Sequence, residues 1–218
     1  MLQLKPTKQR ISGQLNLSGS KSISNRALII KHLSNSKAEI TNLSKSEDTV
    51  RLNYYLNFID TCIKSNVPMI IDSKNAGTIM RFLTAYLSLC DGRWLLTGSE
   101  RMQERPIKDL VLPLKNLGAD IKYTNNTAYP PLLINGKTFS GGKTKANPEK
   151  SSQFISALMM IAPYLAGGLQ IELSKLAVSA SYIKMTKKIM DHFGISTKFG
   201  KKFINIEEGE YIHKDLDI

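Results

Sequence analysis

Cysteine is almost missing from this chain: Cys62 and Cys90 are the only two in 218 residues. They give neither a disulfide framework nor the paired spacing of a metal site, and His32, His192 and His213 stand too far apart to supply one. No metal and no organic cofactor is expected, and both thiols are read as buried and inert. Aromatic residues make up only 7%, and no run of five basic residues occurs. A base-stacking surface and an arginine-rich arm are both lacking. Long apolar runs are lacking as well. The longest, Phe154 to Ala166, is broken by Pro163 and too short to span a bilayer. The first residues hold no apolar leader segment, so a reducing cytosol is the expected compartment.

Acid is the remaining shortage. Asp and Glu number 18 against 30 Lys and Arg, a formal net charge of +12, so the partner is expected to be anionic. Nucleic acid and a small phosphorylated acid both meet that description. Hydrophobic residues at 42% and charged residues at 22% describe an ordinary globular chain. At this length it can bury a core as one large domain or two small ones.

What is present is organised around Gly19-Ser20-Lys21-Ser22-Ile23-Ser24-Asn25-Arg26. The segment follows a short alternating run, Gln14 to Leu17, read as a strand, and opens the apolar helical run Ala27 to Leu33. Glycine followed by serines marks a helix start, where serine oxygens can cap free backbone N–H groups. Such a start attracts anions through those groups and the positive end of the helix dipole. Lys21 stands at the first turn, and Ser22 and Arg26, four apart, share a face. That combination suits a phosphate or a carboxylate, although a capped helix with two solvated cations would carry the same residues. It is no P-loop, because Ser20 separates Gly19 from Lys21.

The chain then repeats itself. A strand is read at Ala38–Thr41, a helix from Ser46 through Ile59, and a strand at Val67–Ile71. A helix follows from Asn75 to Leu89, then a strand at Trp94–Thr97 and a helix opened by Pro106. Strands near Ile121–Tyr123 and Leu132–Ile134 lead to a loop from Gly141 to Pro148. The last round reads as helix Ser151–Leu165, strand Leu169–Leu173, helix Ser181–Phe193 and strands near Thr197–Phe199 and Phe203–Ile206. Gly92 to Gly168, Gly118 to Gly194 and Asn75 to Ser151 are each 76 positions apart, whereas Lys21 to Asn75 is 54. A fixed period with glycines at both helix ends indicates an internal α/β repeat of helix–strand–helix–strand–strand units. If the units stack, three polar helix starts face one way: Ser20-Lys21-Ser22, Asn75-Ala76-Gly77-Thr78 and Ser151-Ser152-Gln153. Plain capping would also explain any one of them; recurrence favours a shared site.

Four of these segments, 19–26, Asn75 to Leu83, Glu104-Arg105-Pro106-Ile107 and Ser151-Ser152-Gln153-Phe154, resemble the EPSP synthase (3-phosphoshikimate 1-carboxyvinyltransferase) family in its own order. The resemblance runs from about residue 4 to 206 and is to the N-terminal half of a two-domain enzyme. It implies an inside-out α/β barrel of three repeats, at about 20–74, 75–140 and 150–208, with a polar stretch 209–218 leading toward a second domain. It also implies roles. Lys21 would lie between two substrates, shikimate 3-phosphate and phosphoenolpyruvate. Ser22 and Arg26 would hold the carboxylate side of shikimate 3-phosphate, Ser151, Ser152 and Ser179 its phosphate, and Gln153 its ring, with Tyr182 nearby. Gly77 and Arg105 would face phosphoenolpyruvate. Val178-Ser179-Ala180-Ser181-Tyr182 departs from the family pattern, lacking its basic residue and proline. The proton-transfer carboxylates of the family belong to the other half, so this chain alone is expected to be inactive.

Three rivals remain open. A sister transferase acting on a UDP-sugar carries a reactive cysteine before its Arg-Pro, whereas Gly98 to Glu104 has none. A basic nucleic-acid-binding domain would show steeply salt-dependent binding. A purely structural repeat protein would keep its fold and bind no substrate.

Overall fold

The computed structural model describes residues 12–15, 17–35, 37–61, 67–147, 151–174 and 180–218. Its interior is set by three helices with hardly any polar face. In α3 (Gly77–Leu89) every residue from Ile79 to Ser88 is buried, in α6 (Ser152–Ile161) every residue from Phe154 onward, and in α1 (Lys21–Leu33) the run Ser24–Ile30. Helices apolar all round belong inside a core, and these three pack on one another. Most of the polar groups they carry inward find partners, Asn25 Nδ2 and Arg81 Nε being exceptions. Thr84 and Ser88 donate to the Met80 and Thr84 carbonyls, both at 2.7 Å.

Three further helices are amphipathic and cover this centre: α2 (Glu47–Thr61), α5 (Lys108–Asn116) and α7 (Ala180–His192). Buried Leu52, Leu56 and Ile59 lie three or four apart on α2, as do Ile183, Thr186, Ile189 and Met190 on α7. A four-residue helix, α4 (Glu100–Gln103), capped by Ser99, lies between the third strand and α5. No described helix is long and apolar enough to cross a membrane.

The strands, in chain order, are β1 (Ile40–Thr41), β2 (Met69–Asp72), β3 (Gly92–Thr97), β4 (Asp120–Tyr123), β5 (Leu132–Gly136), β6 (Ser140–Ala146), β7 (Ala166–Leu173), β8 (Thr197–Phe199), β9 (Phe203–Ile206) and β10 (Leu216–Asp217). Two four-stranded sheets form, ordered β2-β3-β5-β4 and β6-β7-β9-β8. In each, the first two strands are parallel and the others antiparallel. The parallel pair requires a crossover, and α3 and α6 supply it. One topology therefore occurs twice. Its second helix ends each time on a left-handed glycine, Gly118 (φ 107) or Gly194 (φ 87), a conformation that costs glycine nothing. In the first round, among the described residues, β1 pairs with β10. Thr61, the last residue of α2, and Met69, the first of β2, are eight positions apart, against 24 from Asn116 of α5 to Ser140 of β6, and that difference makes up most of the shorter spacing.

Several expectations change. Gln14, Leu15 and Leu17 form no strand, and both leucines are exposed, while Asn16 lies outside the described residues. Gly141 to Ala146, expected as loop, belongs to β6 and pairs with β7 in parallel, so the glycines sit in an edge strand. Pro106 precedes α5, which starts at Lys108. The helix expected to reach Leu165 stops at Ile161, because Pro163 has no N–H to continue the ladder, and Ala162–Tyr164 tightens into a 3₁₀ turn. Residues 209–218 are held against the rest of the molecule, which leaves the expectation that they lead toward a second domain as it stood. Tyr211 is buried with its hydroxyl donating to the Met160 carbonyl at 2.8 Å, and β10 joins β1.

Cys90 lies at the end of α3, where burial pushes its thiol up to about 12; Cys62 lies outside the described residues. The core itself is the simplest test. Leu158, fully buried on α6, should cost about 2–5 kcal/mol of unfolding free energy as Leu158→Ala. Half-exposed Leu112 should cost under about 0.5 kcal/mol as Leu112→Ser. Urea denaturation of both variants checks the pair.

Candidate functional site

The parallel burial of α1, α3 and α6 brings their N-termini to one end of the molecule. A cavity of about 240 Å³ lies there, lined by Lys21, Ser22 and Arg26 from α1, Thr78 from α3, Ser152 and Gln153 from α6, and Tyr182 from α7. A second cavity, of about 410 Å³, is lined by Asn75, Arg101, Met102 and Arg105. Gly77 sits in sequence between the linings of the two. A larger cavity of about 590 Å³, between α5 and β6, holds none of the residues singled out from the sequence.

The helix starts are less capped than expected. Ser20 and Ala76, at the heads of α1 and α3, make no side-chain cap bond, whereas Ser151 caps α6 by accepting from the Gln153 N–H at 3.2 Å. Asn75 is occupied elsewhere, its side-chain oxygen accepting from Ser99 at 2.6 Å. Uncapped first-turn N–H groups at two converging helices are what an oxyanion requires.

Arg26 departs most from its expected setting. Only 2% exposed, it donates from Nε to Thr186 Oγ1 at 2.7 Å, from Nη1 to the Ser22 carbonyl at 2.7 Å and from Nη2 to Ser156 Oγ at 3.1 Å. It therefore engages the Ser22 backbone and not its hydroxyl. The guanidinium lies 5.3 Å from the Phe82 ring centre and 5.9 Å from that of Tyr182. Burial lowers its pKa to about 10, with Tyr182 opposing the shift. It is a wall of the cavity held by neutral partners, with two of its five N–H groups left for a ligand. Lys21 is the contrary case. Half exposed, it pairs with Asp48 Oδ2 at 3.1 Å, a surface contact weak enough to be exchanged for an anion.

Gln153 receives Arg81 Nη1 on its oxygen at 2.9 Å and donates toward Thr78 Oγ1 at 3.4 Å. A side chain at Gly77 would overlap Arg81 Nη1 and stand 3.0 Å from Arg105 Nη1. Two guanidinium groups thus meet over bare backbone. Arg105 is exposed, while Arg81 is buried and its pKa falls to about 10, through desolvation first and Arg105 second. Arg81 was not singled out from the sequence. The available signal was one arginine inside the apolar run Ile79-Met80-Arg81-Phe82-Leu83. Ser179 lies outside the described residues.

Lys21, Ser22, Arg26, Ser152, Gln153 and Tyr182 are therefore brought together, Ser151 caps the helix beside them, and Gly77 and Arg105 adjoin. Four cations face this end, and Asp48 is the carboxylate bonded to one of them. Among the described residues, no three His, Cys, Asp or Glu side chains gather as a metal site would need. The arrangement can bind two anions, and among the described residues no Asp, Glu or His lines either cavity. Arg26→Lys should lower stability by about 2 kcal/mol, because an ammonium cannot serve three acceptors fixed in one plane. Denaturant unfolding checks this, and an unchanged midpoint would contradict the network.

A family model described as EPSP synthase (3-phosphoshikimate 1-carboxyvinyltransferase) matches residues 5–217. The 3-phosphoshikimate 1-carboxyvinyltransferase of Bacteroides fragilis strain YCH46 is 45% identical over 190 residues, 87% of this chain and 44% of that protein. That of Shewanella piezotolerans is 39% identical over 213 residues, covering 89% and 50%. The EPSP synthase structure from Acinetobacter baumannii aligns with a TM-score of 0.80 at 20% identity, over 94% of this chain and 49% of that one. The enolpyruvyl transferase NikO from Streptomyces tendae aligns at 0.65 and 12% identity, over 97% and 52%. At such identities the two structures speak for the fold. The chain spans about half the length of the curated relatives it matches. With a family model covering residues 5–217 of its 218, the chain belongs to the EPSP synthase family.

Proposed function

We propose that this chain is the N-terminal half of an enzyme that transfers the enolpyruvyl group of phosphoenolpyruvate to the 5-hydroxyl of shikimate 3-phosphate. The observation that carries the reading is the convergence of three helix N-termini on one cavity lined by Lys21, Arg26 and Gln153. The names of its relatives supply the phosphoshikimate acceptor and the carboxyvinyl group, and the family resemblance supplies phosphoenolpyruvate as the donor. Residues 1–218 would form one domain, with 209–218 leading toward a second. The compartment would be the cytoplasm.

Shikimate 3-phosphate is assigned to the cavity of about 240 Å³. Its carboxylate side faces Ser22 and the two unengaged N–H groups of Arg26. Its phosphate is assigned to Ser151 and Ser152, at the start of α6, and to Ser179, which lies outside the described residues, and its ring to Gln153 and Tyr182. Phosphoenolpyruvate is assigned to Gly77 and Arg105, where the missing Cβ lets a ligand approach the backbone. Lys21 stands between the two, leaving Asp48 to do so.

In the reaction the hydroxyl gives its proton to a base as its oxygen adds to C2 of phosphoenolpyruvate, and the methylene carbon takes a proton from an acid. That carbon then gives a proton back, the C2–O bond to phosphate breaks and the double bond re-forms. The products are the enolpyruvyl ether and inorganic phosphate. Each proton transfer needs a group within about 3 Å of the reacting atom. This chain's residues bind and orient the anions, and the proton-transfer carboxylates are assigned to a C-terminal half. Binding that is equal in ground and transition states does not speed the chemical step.

Calorimetric titration and a phosphate-release assay test the assignment. The chain alone should bind shikimate 3-phosphate weakly and phosphoenolpyruvate hardly at all, and should release no phosphate. Adding a separately made C-terminal half of a relative should restore turnover. Lys21→Met should abolish that turnover, which also guards against contaminating full-length enzyme. Release by the chain alone would overturn the division of labour, and no binding with or without the second half would overturn the function.

A further inference from the structure

We propose that a cavity at the C-terminal ends of α1 and α3 binds a small organic cation, a primary ammonium carried on a single apolar or aromatic ring. The site is separate from the one assigned to the substrates, so either reading can fail and leave the other intact.

The cavity measures about 250 Å³ and lies at the opposite end of the buried helices from the anion site. Leu33 ends α1, Leu89 ends α3, and Tyr164 closes the 3₁₀ turn that follows α6. With Tyr86 these residues make its apolar walls. Helices whose positive ends converge at one end of a molecule gather their negative ends at the other, where a cation is favoured. No Lys or Arg lines this cavity, in a chain that has 30 of them. The charge that reaches it is that of a carboxylate. Asp60, in the last turn of α2, bonds His32 Nδ1 at 2.7 Å. Burial raises the pKa of the Tyr86 hydroxyl and of the Cys90 thiol, and the negative charge of Asp60 adds to both shifts. Two lining groups are thus kept neutral within reach of that charge.

His32 supplies the specific contact. Its side chain is only 7% exposed, and with Nδ1 donating to the carboxylate, Nε2 is left as an acceptor. Nε2 has no hydrogen-bond partner among the described residues, and the ring lines the cavity. A polar atom on a ring set so deep needs a donor from the cavity side. An ammonium is such a donor, and a tyrosine ring can hold the same charge over its face. The size agrees. An apolar cavity of about 150 Å³ holds benzene, so this one has room for a ring and a short ammonium arm. A neutral ligand would leave the field of Asp60 unanswered. A carboxylate would meet an acceptor and negative helix ends.

The test titrates the ¹⁵N-labelled chain separately with 2-phenylethylammonium, 3-phenylpropionate and benzyl alcohol. It follows the ring signals of His32 and the backbone signals of Leu89 and Cys90. The ammonium should shift all of them, and the other two probes should bind at least about fivefold more weakly. Asp60→Asn, at a half-exposed side chain, keeps a bond to His32 and removes the charge. It should weaken the ammonium about threefold to fivefold and leave benzyl alcohol unchanged. Thr138→Trp fills the cavity from an exposed position and should abolish binding of all three, with a urea midpoint close to the parent's. Signals at His32, Leu89 and Cys90 unmoved by the ammonium in the parent chain would overturn the proposal. So would 3-phenylpropionate binding as tightly as the ammonium, or undiminished ammonium binding in folded Thr138→Trp.

Discussion

Three helices that are apolar around most of their circumference cannot lie on a surface, and their burial side by side is the constraint on which everything else depends. Once α1, α3 and α6 occupy the centre, the sheets must cover them from outside. The crossovers of two parallel strand pairs then point the helices the same way. The helix starts are forced together whatever residues they carry. A site at that end is a consequence of topology, and the residues placed there decide what it takes. Converging dipoles make it anionic by preference, and the bare starts of α1 and α3 leave N–H groups for that purpose.

The cations at this end divide by what holds them. Lys21 is exchangeable, because it is itself half exposed and solvent competes with its bond to Asp48. Arg26 is fixed, because Thr186, Ser156 and the Ser22 carbonyl each accept one of its N–H groups. Arg81 is intermediate, with its fork pinned at one nitrogen and another nitrogen orphaned.

Much of this was legible in the chain. Period 76 marked the rounds that became the two matching sheets, and the polar starts at Lys21, Asn75 and Ser151 marked the end where the site lies. What failed did so for local reasons. Gly141 and Gly142 read as a loop because glycine is a turn residue, yet the parallel partner β7 holds them in an edge strand. Gln14 to Leu17 has a strand's alternation, but no neighbouring strand pairs with it among the described residues, and alternation without a partner makes no sheet. The depth at which Arg26 sits was hidden as well, because position on a helix face says nothing of depth. Only the fold shows that Thr186, 160 residues away in sequence, comes to meet it. Arg81 was hidden by its surroundings, since an apolar run is read for its apolar members.

The distribution of charge also argues about how the site works. Lys21, Arg26, Arg81 and Arg105 crowd one end of the molecule with a single carboxylate bonded among them. Their mutual repulsion makes the empty site the strained one, and each bound anion lowers that strain. On the proposed reading, shikimate 3-phosphate neutralises the Lys21–Arg26 side first and leaves the Arg81–Arg105 side more attractive by comparison with its surroundings. A second body carrying carboxylates would then be drawn to the remaining positive charge, and its approach would exclude water. Substrate binding, domain closure and delivery of the proton-transfer groups become one electrostatic sequence. Each step is made favourable by the charge that the previous one leaves uncompensated.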